Sequence, residues 1–200
     1  MEVRISYEIV PNVDATKAIL NLRAKDANSK IYLVMDSPGG DVGAGLAFIK
    51  FLETQSNIST ITINAASMAS GIVESLPERL IVKDGTLMFH RAKIGLEGYI
   101  NDGEMESELA YFKKVVQVLE DINRKRFGMT LAEYRQTVAK EYWLFGQEAV
   151  EKKAADRVVE ISCDKALLDS RVEKIVGSFF GSKTIVYSGC PIIQLPLEIK

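Results

Sequence analysis

Residues 58–72 read ISTITINAASMASGI. The first half carries β-branched residues, Ile58 and Thr60-Ile61-Thr62-Ile63, whose side chains are stiff at χ1 and suit a pleated strand. The second half is small: Ala65, Ala66, Ala69 and Gly71 surround Ser67. A strand that runs into such a cluster turns into a helix near Ser67. Two readings of that junction compete. In one, Ser67 is an N-cap, a position serine favours, and the alanines permit close packing. In the other, Ser67 is a nucleophile at a helix N-terminus, where its own N–H or that of Met68 faces a developing oxyanion. The sole histidine of the chain, His90, ends the strand-like run Thr86–His90.

Working outward, the first half alternates strand and helix signals. Val3–Ile9 alternates as a strand does. Asp14 caps a helical pattern through Ala18, Ile19, Leu22 and Ala24. Ile31–Met35 is a continuous apolar run, as in a strand buried on both faces. SPGGDVGAG (37–45) punctuates it, and a helix follows with Leu46, Ile49 and Leu52. After the strand 58–63 come a short helix from about Ser67 to Leu76 and strands at 79–83 and 86–90. This β-α-β-α order predicts a mostly parallel α/β sheet with helical crossovers. KIGLEGYI (93–100) reads as strand or loop. From Asp102 to Phe127, Met105, Leu109, Phe112, Val116, Leu119 and Ile122 recur on one face of a long helix. A helix of that length projects towards a partner or lies on its own domain. Gly128 ends it, and a helix over 131–138, a strand-like run, a short helix and a strand follow to about 161. A helix near 165–176 is expected in a final piece, 161–200, which extends a first domain over 1–160.

Composition narrows the function. The chain has 200 residues, 47% hydrophobic and 26% charged, with a net charge of −2. It lacks the basic footprint of a nucleic-acid binder. Cys163 and Cys190 form no CxxC pair, and one histidine builds no His-rich metal site, so neither metal nor other cofactor is expected. The two cysteines read as reduced thiols, with a Cys163–Cys190 disulfide as the alternative. MEVRISYEIV has acids and no apolar core of a secretory signal, and no run suits a membrane span. A cytoplasmic protein without membrane contact is the expectation.

SPGG (37–40) sits where a buried strand meets a helix. Its glycines allow positive φ, and their N–H groups can face an anion near the helix start. A plain Pro-Gly turn is the alternative. A serine hydroxyl is a poor nucleophile unless a base takes its proton, and His90 is the one histidine available for that. Taken together, SPGG-x-V-x-AG (37–45), AASMAS (65–70), MFH (88–90) and E-x-W-L-x-x-x-EA (141–149) resemble the Clp protease proteolytic subunit, and several blocks resemble the Clp-like proteases that process phage capsids. The resemblance spans about Ile5 to Val159. It implies a crotonase-like α/β fold with a projecting handle helix, about 93–127, and stacked homo-oligomeric rings around a proteolytic chamber. It implies a serine endopeptidase acting on peptides or unfolded proteins, with Ser67 as nucleophile, His90 as general base and the N–H groups of Gly40 and Met68 as oxyanion hole.

The sequence departs from the family's pattern at several points. Glu141 falls where the family has aspartate, and a glutamate can still accept the histidine's Nδ1–H, as in other Ser-His-Glu triads. The family's N-terminal helix and axial loop have no counterpart, so an AAA+ unfoldase is an open partner rather than an expected one. Lys153 stands where the family usually has glycine. A catalytically silent ring or scaffold subunit is the second reading, and a crotonase-type acyl-CoA enzyme the third.

Overall fold

A computed structural model describes residues 1–11, 14–95, 98–178, 181–190 and 197–199. The chain divides into two compact units, Met1–Val159 and Glu160–Lys200.

The first unit is built on a six-stranded sheet. Strands β1 (Glu2–Ile5), β2 (Ile31–Ser37), β3 (Ile58–Ala66) and β4 (Glu78–Phe89) run parallel in that order, joined by helices α1 (Asp14–Lys25), α2 (Val42–Glu53) and α3 (Met68–Ser75). β1 is shorter than the expected Val3–Ile9, because the chain leaves the ladder and touches it again at the Ile9–Gly40 bridge. The two strands expected at 79–83 and 86–90 are one long β4. Its outer edge is shared. Residues 80–82 pair in parallel with β6 (Arg157–Val159), and residues 86–89 pair antiparallel with β5 (Tyr142–Phe145). The register shift between Thr62 and Asn64 on β3 re-aims the second half of β4. Gly85 is needed there, since a Cβ would lie 2.8 Å from the Thr62 carbonyl oxygen.

Ile31, Leu33 and Met35 of β2 are wholly buried, as the unbroken apolar run predicts. Residues 68–74 of α3 are all buried too, so the helix after Ser67 is a core element. Its Met68 side chain fills the space that a side chain on Gly45 would take, and Leu119 does the same at Gly71. Small residues therefore let α2 and the long helix α4 (Asp102–Phe127) approach α3 closely.

Helix α4 has 26 residues, ~39 Å at the standard rise. Asn101 and Glu104 form a capping box at its start, and Gly128 closes it in the left-handed conformation. Its two halves differ. Val116, Leu119, Glu120, Asn123 and Phe127 are buried, whereas every residue from 102 to 111 is exposed, including Met105 and Leu109. In the preceding KIGLEGYI stretch, residues 93–95 and 98–100 form no strand, and Leu96 and Glu97 lie outside the described residues. Helix α5 (Leu131–Thr137) follows with its own capping box.

A buried ion cluster ties α3 to β4. Arg79 donates to Glu74, to Asp156 Oδ1 at 2.7 Å and to the Lys153 carbonyl at 2.8 Å. Burial pushes the Glu74 carboxyl up to about 8 despite the guanidinium in contact with it. The accepting Lys153 carbonyl lies just past α6 (Gly146–Glu151). Lys153 has φ 65, and its N–H and that of Ala154 bond back to Val150 and Ala149. This is a Schellman ending with lysine in the left-handed seat that glycine prefers.

The second unit contains α7 (Lys165–Asp169) and a three-stranded antiparallel sheet of β7 (Arg171–Ser178), β8 (Gly181–Ser188) and β9 (Glu198–Ile199). Two expectations are corrected here. The helix expected over 165–176 stops at Asp169. Asp164 caps it, but the β-branched Val172, Ile175 and Val176 pair instead with Tyr187, Thr184 and Lys183 of β8. The cysteines expected as reduced thiols form a Cys163–Cys190 disulfide, their Cα atoms being 5.7 Å apart. Residues 191–196 lie outside the described set.

Replacing Lys153 by glycine relieves an exposed left-handed residue without removing its carbonyl contact. Lys153→Gly is expected to stabilise the protein by about 1 kcal/mol, read as a higher denaturant midpoint at unchanged m-value.

Candidate active site

Ser67 sits between β3 and α3 with φ 55 and ψ −120, a conformation costly for a residue with a Cβ. Three contacts hold it there. Its N–H donates to the Met88 carbonyl at 2.9 Å. Ser70, one turn on and fully buried, places its Oγ 2.8 Å from the Ala65 carbonyl and 2.7 Å from that of Met88. Gly39 packs beneath: a Cβ there would strike the Ala66 carbonyl and lie 2.8 Å from Ser67 Cβ.

The two readings of Ser67 now separate. It occupies the N-cap position, yet its side chain makes no capping hydrogen bond. Its Oγ lies 2.7 Å from Nε2 of His90 instead. The Met88 contact and His90 belong to the same strand end, so the bond that fixes the serine backbone also fixes its distance from the imidazole. With Nε2 accepting from the hydroxyl, the ring proton lies on Nδ1. Because Ser67 N–H is spent on Met88, the donor at the helix start is the Met68 N–H, one of the orphan amides of a first turn.

Gly40 approaches from the other side. It has φ 146, and a side chain there would collide with the Ile9 carbonyl. The bridge to Ile9 uses the Gly39 carbonyl and the Asp41 N–H, both at 2.7 Å, and leaves the Gly40 N–H outside the pair. Ser37 supports this loop: its Oγ donates to the Tyr7 carbonyl at 2.6 Å and accepts from Gly39 N–H at 3.2 Å. Sequence reading missed Gly39, Ser37 and Ser70. Ser37 and Gly39 lay within SPGG and Ser70 within AASMAS, but nothing in those strings distinguishes a supporting hydroxyl from a surface one.

Glu141 is placed near His90 without bonding it. Phe89 pairs with Tyr142 as the last rung of the antiparallel β4–β5 ladder, and His90 and Glu141 are the residues that adjoin that rung, one on each chain segment. The Glu141 carboxylate is close enough to act on the imidazole through its charge. The expected hydrogen bond to Nδ1 is nevertheless not made. The exposed carboxylate accepts from Nε1 of Trp143 at 3.1 Å, a donor two residues along its own strand.

The imidazole pKa lies below its ordinary 6.5. Burial is the largest cause, the Lys93 charge adds to it, and the Glu141 carboxylate opposes both. A cavity of about 220 Å³ opens beside the pair, bounded by Gly40, Phe89, Val116, Leu119 and the polar residues Glu120, Asn123 and Tyr134. Among the described residues no His, Cys, Asp and Glu side chains cluster as metal ligands, and no helix is long and apolar enough to cross a membrane.

Comparison with known proteins identifies the family. The family model of the Clp protease matches residues 5–162. The ATP-dependent Clp protease proteolytic subunit of Streptococcus mutans is 28% identical over 146 residues, covering 71% of this chain and 74% of that protein. The like-named proteins of Streptococcus gordonii, 28% identical over 145 residues (70% and 74%), and Streptococcus pyogenes, 27% over 146 (71% and 74%), are similarly related.

As the sole histidine, His90 can be followed by its own NMR signal. Its titration midpoint is expected below 6.5. Lys93→Gln should raise that midpoint by removing a like charge, and Glu141→Gln should lower it by removing the opposite one.

Proposed function

The chain belongs to the Clp protease family, and we propose that it is a serine-type endopeptidase that cleaves peptides or unfolded proteins within a homo-oligomeric ring. The observation that carries this reading is the 2.7 Å contact between Ser67 Oγ and His90 Nε2. It is paired with a Ser67 backbone held in a strained turn for no capping purpose. Strain of this kind persists where surrounding structure over-determines it, as at functional sites.

In the proposed reaction Ser67 Oγ attacks the scissile carbonyl carbon while Nε2 of His90 takes the hydroxyl proton. The carbonyl oxygen becomes an oxyanion between the N–H groups of Gly40 and Met68. The C–N bond then breaks, and His90 passes its proton to the leaving amine. Water, deprotonated by His90, attacks the Ser67 ester. The second tetrahedral intermediate collapses, releasing the carboxylic acid and returning the proton to Oγ. The downward shift of the His90 pKa favours the neutral form that a base needs.

Glu141 is proposed as the third member. The charge interaction of its carboxylate with the imidazole supports this. Its contact with Trp143 favours the second reading, a catalytically silent ring subunit. Ring assembly is supported by family membership and by the exposed apolar Met105 and Leu109 on α4. Residues 1–160 are proposed as the peptidase domain and 161–200 as its extension. Cytoplasmic residence is proposed on family grounds, and the Cys163–Cys190 disulfide would be unusual there. An ATPase partner stays outside the proposal.

A fluorophosphonate probe is expected to label assembled protein at Ser67. Ser67→Ala should abolish labelling and lower peptide cleavage by about a millionfold. Absence of labelling in an assembled ring would establish the silent subunit instead. Glu141→Gln should lower kcat by roughly 10⁴-fold if the carboxylate orients His90, and by no more than a few-fold if it stays with Trp143.

A further inference from the structure

The second unit, Glu160–Lys200, is about 40 residues long, the size below which a chain usually needs a staple to fold. Its helix α7 buries none of its residues, and Leu167 and Leu168 stand exposed on it. Among the described residues, the main hydrophobic cluster draws on Val3 to Ala155 and so belongs to the first unit. The staple available to the second unit is the disulfide between the chain's two cysteines, Cys163 and Cys190.

The bond is placed to hold most of that unit. Its ends are 27 residues apart, and the loop it closes contains α7, β7 and β8. Cys163 directly precedes Asp164, the cap of α7, while Cys190 follows β8 and is fully buried. The chain beside Cys190 is tied to the end of α7. Cys190 N–H donates to Ser188 Oγ at 3.2 Å, Ser188 Oγ donates to the Leu168 carbonyl at 3.3 Å, and Gly189 N–H donates to the Ser170 carbonyl at 3.0 Å. A Cβ on Gly189 would strike Ser170 Oγ, so this joint closes tightly. Breaking a cross-link over a loop of this length returns conformational freedom to the unfolded chain. The resulting loss of stability is comparable with all that a core of such a small unit supplies. The first unit holds no cysteine and has no such dependence.

We propose that the Cys163–Cys190 disulfide is a redox switch for the second unit alone. That unit is folded while the bond is closed and unfolds when it is reduced, whereas the first unit stays folded in both states. The reductant is a thiol, either small or carried by a dithiol protein. Its thiolate attacks Sγ of Cys163, the partly exposed partner, and Cys190 leaves as a thiolate that takes up a proton. A second thiol then displaces Cys163 from the mixed disulfide. The S–S bond has gained two electrons and two protons, and the reductant has become a disulfide. Cytosolic thiol pools drive this reaction forward, and an oxidising compartment holds the bond closed.

The test compares the full chain before and after incubation with dithiothreitol at neutral pH, without denaturant. Alkylation after a denaturing quench counts the thiols by mass. Hydrogen exchange on the same sample reads β3 of the first unit and β8 of the second. Before reduction, no alkylation and protected β8 amides are expected. After it, two alkylated cysteines are expected, with β8 exchanging at least roughly a hundredfold faster and β3 unchanged. The double variant Cys163→Ser, Cys190→Ser is expected to show the reduced pattern without any reductant. Two alkylated cysteines with β8 protection unchanged overturn the switch, because the unit then folds without its bond. A disulfide that survives dithiothreitol overturns it too, and so does equal loss of protection in β3 and β8. The wild-type comparison decides the matter even if the double variant cannot be made.

Discussion

The hydrogen bond from Ser67 N–H to the Met88 carbonyl organises the first unit's functional end. It joins the last turn of one parallel strand to the last rung of the next. Because His90 lies two residues beyond Met88, the bond also sets the position of the imidazole. It has a backbone consequence as well. The serine amide is consumed, so the helix offers the Met68 N–H as its first outward donor. Ser70 reinforces the same joint from inside the core, its hydroxyl close to two carbonyls that would otherwise be buried at the ends of β3 and β4.

That joint tolerates little bulk around it. Gly39 and Gly40 run so close to Ser67 and to Ile9 that a Cβ at either would collide with backbone atoms. Both also have φ values that favour glycine. Gly45 and Gly71 yield their side-chain space to Met68 and Leu119. α4 is thereby anchored by its second half against α3, which brings Glu120 and Asn123 to the cavity, while its first half stays exposed. The same helix is core at one end and surface at the other.

Much of the fold was legible because hydrophobic periodicity is local. Ile31–Met35 announces a strand buried on both faces, and Met105 to Ile122 announces a helix face. Lys153 shows a finer case: at a position where the resembling family usually has glycine, the chain adopts the left-handed conformation that glycine suits. The misreadings occurred where local signals were weak or shared. Residues 165–176 begin with a good N-cap, yet pairing with β8 claims the β-branched Val172, Ile175 and Val176 for a strand. Cysteine spacing carries no information on distance, so the Cys163–Cys190 pairing became readable solely once β7 and β8 had folded.

Residue identity along the chain determined the alternation of strands and helices, the strand-to-helix turn at Ser67 and the pairing of chemistries, since one histidine leaves one imidazole base. These follow from side-chain shape and from the availability of titratable groups. Tertiary structure alone decided that the Ser67 N–H bonds to the Met88 carbonyl, because hydrogen-bond allegiance depends on which strand ends meet. It alone brought Glu141 beside the end of β4 yet put its carboxylate on the Trp143 indole, because register fixes which strand ends meet while a rotamer chooses among neighbours. It alone buried Asn123 Oδ1 with no partner among the described residues, because burial and partnership are properties of packed surfaces and are not written in any single residue.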